Sequence, residues 1–345
     1  MTTKKTASPE FLAAVIKADN ARRARRAAEI RELIKTIPVS DELLKEIAWT
    51  GPGERPAILR SHPGHGQHEK LKSLDTVLAI FNRCVADVMR ELDRFHAFSL
   101  TRQFGRRTGE AELNEIESAV KKELMAFSTA AAALVDHARI VEKAIPIPGY
   151  KSQQLAIFDS GEHRFVKVLR NLINHARFPY VSWQIEHGAD RKRLTDFVLP
   201  TELLLELEAL LEDADGIAFV RASGKDVHLR QVVASYSKRV NDFYAWHSRA
   251  IEANVPLSLA DYRRCDAHCN AEVARTWWRI ILSQTKADPY NHLETYLLPG
   301  EIEEAMTLPM RSKEQIDYII SKADKHNACD DEIRGLVYKY FGLNS

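Results

Sequence analysis

The stretch Ser160–Tyr180, SGEHRFVKVLRNLINHARFPY, decides the fold, and the rest of the chain can be built outward from it. At about 100° per residue, Phe165, Val166, Val168, Leu169, Leu172, Ile173 and Ala176 share one broad arc of a helical wheel. His163, Arg164, Lys167, Arg170, Asn171, Asn174 and His175 fill an opposite arc roughly 140° wide. This second arc holds no acid. A face that only meets water would use Glu, Lys and Gln, which favour helix, whereas Asn and His do not. Asn171, Asn174 and His175 therefore need a reason other than solubility. Pro179 bars continuation, so the pattern predicts a helix that stops near Phe178.

Upstream, Glu69 to about Phe104 reads as one long helix, with Leu71, Leu74, Val77, Leu78, Phe81, Val85, Val88, Met89 and Leu92 recurring at three and four. Cys84 sits beside that stripe as a core residue. Gly105–Gly109 is a turn, and Thr108 is placed to cap a second helix from about Glu110 to Lys143. Its alanine-rich segment, Thr129–Leu134, suits close approach of a neighbour, and Pro146 and Pro148 end it. Two long antiparallel helices followed by the quoted one begin an up-and-down bundle.

Downstream, the hydrophobic period changes from 3.6 to 2. Tyr180–Glu186 and Arg193–Val198 alternate across His187–Asp190, which predicts a β-hairpin as the chain's one sheet. Pro200-Thr201-Glu202 restarts helix into a leucine-rich run, and a Gly-containing break is expected near Asp213 to Gly224. A last long helix, Asp226 to Asn254, carries Leu229, Val232, Val233, Tyr236, Val240, Phe243 and Tyr244 as its core stripe.

At the ends the reading is coarser. Ser8-Pro9-Glu10 starts a helix that runs to about Thr36 and bears Arg22, Arg23, Arg25 and Arg26. Such a run serves either as an arm for RNA backbone or as a solvated face, and the latter is the simpler reading. Ser40 caps a short helix, and Trp49–His68 reads as a Pro/Gly-rich loop with His62, His65 and His68 in a mobile segment. Pro256 is a natural boundary, beyond which lie a helix from Ser258 to about Ser283 and several short helices. Cys265 and Cys269 fall at i and i+4 on an apolar stripe and read as core rather than as zinc ligands, with Cys329 near His326 the remaining candidate pair. Three regions follow: 1–68, a basic helical arm and loop; 69–254, a helical bundle; and 255–345, a smaller C-terminal helical region.

Composition agrees with a mainly α chain of this kind. The 345 residues are 45% hydrophobic and 28% charged, with only 14 Gly and 13 Pro. The net charge of +1 gives no global attraction to nucleic acid, so any such binding must be local. Four cysteines do not make a disulfide framework, the start MTTKKTASPEF lacks the apolar core of a signal peptide, and no run approaches the ~18 apolar residues of a membrane span. A cytoplasmic protein without a membrane segment is expected.

Arg170-Asn171-Leu172-Ile173-Asn174-His175 places an Arg, a polar residue and a His at fixed spacing on one helix. Arg-x4-His occurs twice more, at Arg60–His65 and Arg263–His268, but only Arg170–His175 joins the Asn, an apolar opposite face and a terminating Pro. In these features the segment resembles the HEPN superfamily, closely over this helix and loosely over residues 69 to 254. The resemblance implies a dimerising helical bundle that cleaves RNA without metal or other cofactor, in a toxin or defence setting with a protein antitoxin or regulator. On that reading Arg170, His175 and Asn171 are catalytic, and Lys167, Asn174 and His163 line the same arc as substrate contacts. The residue types suit the chemistry: a neutral His takes the 2′-hydroxyl proton, and Arg pairs with phosphate oxygens through its planar fork. Two alternatives remain open, a module that binds nucleotide or RNA without cleaving it and a scaffold whose polar arc meets a partner helix.

Overall fold

The computed structural model describes residues 9–343 except 52, 159, 176–181, 188–192, 207–213 and 285–287. In chain order the helices are α1 (Pro9–Leu33), α2 (Asp41–Ala48), α3 (Arg55–Arg60), α4 (His65–Ser99), α5 (Glu110–Ala144), α6 (Tyr150–Phe158) and α7 (Gly161–His175). Strands β1 (Ser182–His187) and β2 (Arg193–Pro200) lead to α8 (Thr201–Glu206), α9 (Ala214–Ala222), β3 (Asp226–His228) and α10 (Leu229–Ala253). Helices α11 (Leu257–Gln284), α12 (Pro299–Thr307), α13 (Lys313–Ala323) and α14 (Asp331–Phe341) complete a mainly helical chain. It divides into two compact units, Glu69–Val255 and Met1–His68 with Pro256–Ser345.

Within Glu69–Val255, the predicted stripes of α4, α5 and α10 form one core. Phe81, Phe127 and Tyr236, one from each helix, are buried with ring centroids 5.6 to 6.2 Å apart. Each large side chain removed from water contributes roughly 1.5–3 kcal/mol before entropy is counted. Polar pairs set the register around this triad: Asn82 and Asn241 exchange amide hydrogen bonds of 3.1 and 2.9 Å, and the Tyr244 hydroxyl donates to the Leu134 carbonyl at 3.0 Å. Arg107–Ala144, with a mean hydropathy of 1.3 in its most apolar stretch, is the one described helical span long and apolar enough to match a bilayer. Its face of Ile116, Val120, Leu124 and Phe127 is buried in the bundle.

The hairpin is present, antiparallel, with Trp183 opposite Phe197 and Gln184 opposite Asp196. Trp183 and Phe197 lie against Phe95, whose ring centroid is 4.5 Å from that of Phe197, while Gln184 and Asp196 take the other side of the pleat. Four expectations in this unit are corrected. Asp226–His228 is a third strand paired to β2 (Leu199 opposite Val227) rather than the first turn of α10, because Gly224 at φ +81° turns the chain back along β2. The expected break at Asp213–Gly224 is largely α9. Gly216 is there because a Cβ would lie 3.2 Å from Val168 Cγ2 in α7, so it marks close packing rather than a helix stop. Thr108 does not cap α5; Arg107–Gly109 forms a 3-10 turn and Gly109 takes the cap position without a side-chain bond. Finally, α6 was not foreseen, since its apolar residues are spread around the wheel rather than gathered on one face.

In the other unit, Ala27, Ile30, Ile34, Ile47 and Ile58 share a core cluster with Tyr262, Cys265 and Cys269. The two cysteines are buried in that cluster as expected. A second cluster holds Leu293, Ile316, Ile320, Ile333 and Val337. Trp49–His68 is not the expected loop, since α3 occupies Arg55–Arg60 and α4 begins at His65. His62 is buried, and the rings of His62, His65 and His68 surround Tyr262 at centroid distances of 5.0 to 5.6 Å. Gly64 marks a tight junction here, leaving no room for a Cβ, which would lie 2.0 Å from the Ser258 carbonyl oxygen. The cap expected at Ser8 lies outside the described residues. The arginines of α1 meet acids of their own surroundings, Arg22 and Arg23 at Asp19 and Arg26 at Glu29 and Glu46, as a solvated helix face would.

Candidate functional site

Helix α7 starts where Ser160 caps it, its Oγ accepting from the His163 amide at 3.4 Å and its carbonyl from the Arg164 amide at 3.3 Å. Phe165, Val166, Val168 and Leu169 are buried, which fixes the helix's rotation about its axis. Packing against α9 is tight: a Cβ on Gly161 would lie 2.7 Å from Phe219 Cβ and 2.9 Å from the Asp215 carbonyl oxygen. Glu162 is buried in the first turn, where the Ser235 hydroxyl donates to it and Arg239 Nε lies 3.1 Å away as its ion-pair partner. These contacts aim the polar arc away from the α9 side.

That arc meets a cavity of about 190 Å³ between α5, α7 and α10. From α7 it receives His163, Arg164, Lys167 and Arg170, from α5 the small side chains of Ser128, Ala131 and Ala132 together with Asp136 and Arg139, and from α10 Tyr236. Arg170 is half-buried, and its Nε lies out of contact with water and without a hydrogen-bond partner among the described residues. Lys167 is exposed at the rim. Among the described residues the lining holds one acid, Asp136, which is 3.6 Å from Arg139 and so already matched. A small cavity bordered by Arg139, Arg164, Lys167 and Arg170 against one paired carboxylate favours an anion.

Tyr236 gives the cavity a polar floor. Its hydroxyl is 3.1 Å from His163 Nδ1, and the two rings stack with centroids 5.9 Å apart at 14°. Burial, with Glu162 nearby, raises the phenol well above its ordinary range, so it stays protonated. The contact at Nδ1 holds the His163 imidazole in one orientation.

Of the six residues singled out in the sequence, the structure gathers His163, Lys167 and Arg170 around one cavity. Asn171, Asn174 and His175 continue the same helix, but their side chains lie outside the described residues, as does the expected stop near Phe178. On the backbone, His175 is one turn beyond Asn171, and about 7.5 Å along the axis from Arg170. Tyr236, Asp136 and Arg139 were missed. Tyr236 reads as an ordinary member of the α10 stripe, and only the i, i+3 pair Asp136–Arg139 beside the alanine-rich run could have hinted at a lined groove.

Among the described residues, one cluster has metal-ligand atoms in mutual reach, namely His62, Asp261 and Cys265, all buried. Its hydrogen bonds argue for a structural clamp. The Gly64 amide donates to His62 Nδ1 at 2.9 Å, so Nε2 carries the proton and faces Asp261 Oδ2 at 3.2 Å. Asp261 also accepts from the Val39 amide at 2.9 Å and from Arg264. Burial alone would raise the Asp261 carboxyl, yet these bonds hold it below its ordinary value. Burial pushes the Cys265 thiol up to about 12 and that of Cys269 up to about 11, away from the thiolate a metal requires.

No family model, curated protein or solved structure matches this chain. Its functional reading rests on its own residues.

Proposed function

We propose that the Glu69–Val255 unit is a metal-independent endoribonuclease whose active helix is α7. The observation that carries this reading is Arg170. It borders a cavity rich in cations, and its Nε lacks a partner within the described residues. A buried guanidinium nitrogen left without a partner is costly, and a phosphate oxygen would satisfy it.

In the proposed reaction, Arg170 holds the non-bridging oxygens of an RNA phosphodiester and neutralises the charge that builds on the phosphorane. His175 takes the 2′-hydroxyl proton; O2′ forms a bond to phosphorus as the bond to O5′ breaks. Asn171, one turn before His175, hydrogen-bonds the phosphate or the imidazole. Lys167, Asn174 and His163 guide the strand. A single helix offers no imidazole opposite His175 to protonate the leaving O5′, so a second copy of α7 across a twofold axis supplies it. The products are a 2′,3′-cyclic phosphate and a 5′-hydroxyl. The setting proposed is the cytoplasm, with a protein antitoxin or other regulator holding the activity in check.

The test is cleavage of labelled RNA by the purified chain. Arg170→Ala and His175→Ala should each lower the rate ~10²-fold or more, and Arg170→Lys should not rescue it because a point charge lacks the bidentate fork. Mixing the two alanine variants should restore part of the activity if each site draws on both chains. Unchanged cleavage in Arg170→Ala would refute the assignment.

A further inference from the structure

A cleft of about 660 Å³ opens in the unit of Met1–His68 and Pro256–Ser345, between the end of α11, the 3-10 segment Pro289–Thr295 and the last turns of α14. That volume is in the range of small-molecule sites. The cleft is organised around Arg311, which keeps left-handed backbone at φ +62° although it carries a Cβ. Such backbone is unfavourable for residues other than Gly and persists only where the surroundings hold it. A buried network does so here. The Arg311 amide donates to Gln315 Oε1 at 2.8 Å and lies 3.1 Å from the Tyr290 hydroxyl, which itself donates to Gln315 Oε1 at 2.6 Å. Gln315 is buried, and its Nε2 donates to the Ala305 carbonyl at 2.9 Å.

The Arg311 side chain is held as firmly as its backbone. The guanidinium lies over the Tyr290 ring, 5.7 Å from the centroid, and Nη2 is 3.1 Å from Asp288 Oδ2. Gly342, at φ +78°, passes close beside it, and a Cβ there would lie 3.1 Å from Nη1. Arg279 is oriented likewise, with Nη2 3.0 Å from Glu332 Oε2. In each arginine a carboxylate engages one terminal nitrogen, while Nη1 and Nε make no hydrogen bond among the described residues. Lys339 is exposed at the rim and pairs with no acid among the described residues. The balance is positive with every group in its ordinary charge state at neutral pH. Arg279, Arg311 and Lys339 border the cleft against Asp288; adding Glu332, which holds Arg279 from outside the lining, leaves three cations against two acids. The last carbonyls of α14, which would repel an anion, are partly occupied. The Gly342 amide donates to the Lys339 carbonyl at 3.2 Å and the Leu343 amide to that of Tyr338 at 2.8 Å. Leu282, Leu336 and Tyr340 add an apolar wall, on which Leu336 is left 40% exposed.

We propose that this cleft binds a phosphate monoester that carries a flat apolar group, with Arg279, Arg311 and Lys339 on the phosphate and Leu282, Leu336 and Tyr340 against the apolar group. Planar guanidinium forks pair with phosphate oxygens, and a dianion with three terminal oxygens engages two forks and an ammonium where a carboxylate fills a single fork. The site belongs to a different unit from the Arg170 cavity and does not depend on RNA cleavage there.

Titration calorimetry of the whole chain with 5′-AMP at neutral pH tests this. Saturable binding that weakens as salt is added is expected, since the contacts are ionic. Inorganic phosphate should compete, whereas adenosine and acetate should not, which assigns recognition to the phosphate. Competition by adenosine alone, or by acetate as strongly as by phosphate, would overturn the proposal. Arg311→Gln and Lys339→Gln should each weaken binding about tenfold or more, while Arg170→Ala should leave it unchanged. Absence of saturable binding, or binding in both glutamine variants equal to that of the native chain, refutes the proposal. Lys339 is exposed and supports no other group, so Lys339→Gln keeps the fold and decides the matter should Arg311→Gln not fold.

Discussion

His247 offers a measurement whose size can be worked out in advance. It is buried in the core of the Glu69–Val255 unit, parallel to the Phe243 ring at 5.9 Å and edge-on to Tyr150 and Tyr244, and its Nε2 has no hydrogen-bond partner among the described residues. Burial lowers its pKa from 6.5 to about 4. The neutral ring is the form the fold accepts, so the contribution to stability is complete above pH 6.5 and is lost as pH falls from 6.5 toward 4. At about pH 4.5 the unfolded chain is nearly fully protonated at this site and the folded chain only about one quarter so. The linkage relation then gives a loss of about 2.5 kcal/mol relative to neutral pH. His247→Phe keeps the ring stack, removes the unpartnered nitrogen and removes the titration. Urea denaturation of both proteins at pH 7.5 and pH 4.5 isolates the effect, because every other titrating group is common to the two. The variant should match or exceed the native stability at pH 7.5, and its loss on acidification should be smaller by about 2.5 kcal/mol. Equal losses in the two proteins would show that His247 is either hydrated or hydrogen-bonded, and the reasoning would fail.

Gly161→Ala should lower stability by roughly 1–3 kcal/mol, because its Cβ would meet Phe219 Cβ and the Asp215 carbonyl where neither can yield easily; an unchanged denaturation midpoint would contradict the tight α7–α9 packing. Asp261→Ala leaves His62, Arg264 and the Val39 amide without their acceptor and should cost about 3–5 kcal/mol. Zinc added to the native chain should not raise its Tm, and a zinc-dependent rise would revive a metal role for His62, Asp261 and Cys265. RNA cleavage should survive EDTA, and restoration of a lost activity by a divalent ion would overturn the proposed mechanism. His65→Ala and His268→Ala, at the other two Arg-x4-His spacings, should leave cleavage intact, whereas a loss equal to that of His175→Ala would make the spacing at Arg170 uninformative.

The residues that repeat at regular intervals were the ones readable without coordinates. Leu74, Phe81, Val88 and Leu92 on α4, or Ile116, Val120 and Leu124 on α5, share one face over many turns, and only a buried helix keeps that face apolar. The alternation around Trp183 and Phe197 identified the hairpin for the same reason at period two. Likewise, the polar arc of α7 follows from the wheel, which places His163, Lys167 and Arg170 together on one face. What failed depended on a neighbour distant in sequence. Gly216 falls in a stretch whose sequence reads as a break, yet its meaning comes from Val168 and Arg164 pressed against it. Asp226–His228 is too short to declare a period and becomes a strand only because β2 offers it a partner. His62 sat among Gly and Pro and read as mobile, and Asp261, some two hundred positions away, makes it a buried member of a clamp. Tyr236 was one more core aromatic until His163 stood 3.1 Å from its hydroxyl. Sequence alone determined which side of each long helix is buried, because burying apolar area depends on local spacing. Tertiary structure decided which polar groups meet, because hydrogen bonds and charge pairs depend on distances that only the folded chain sets.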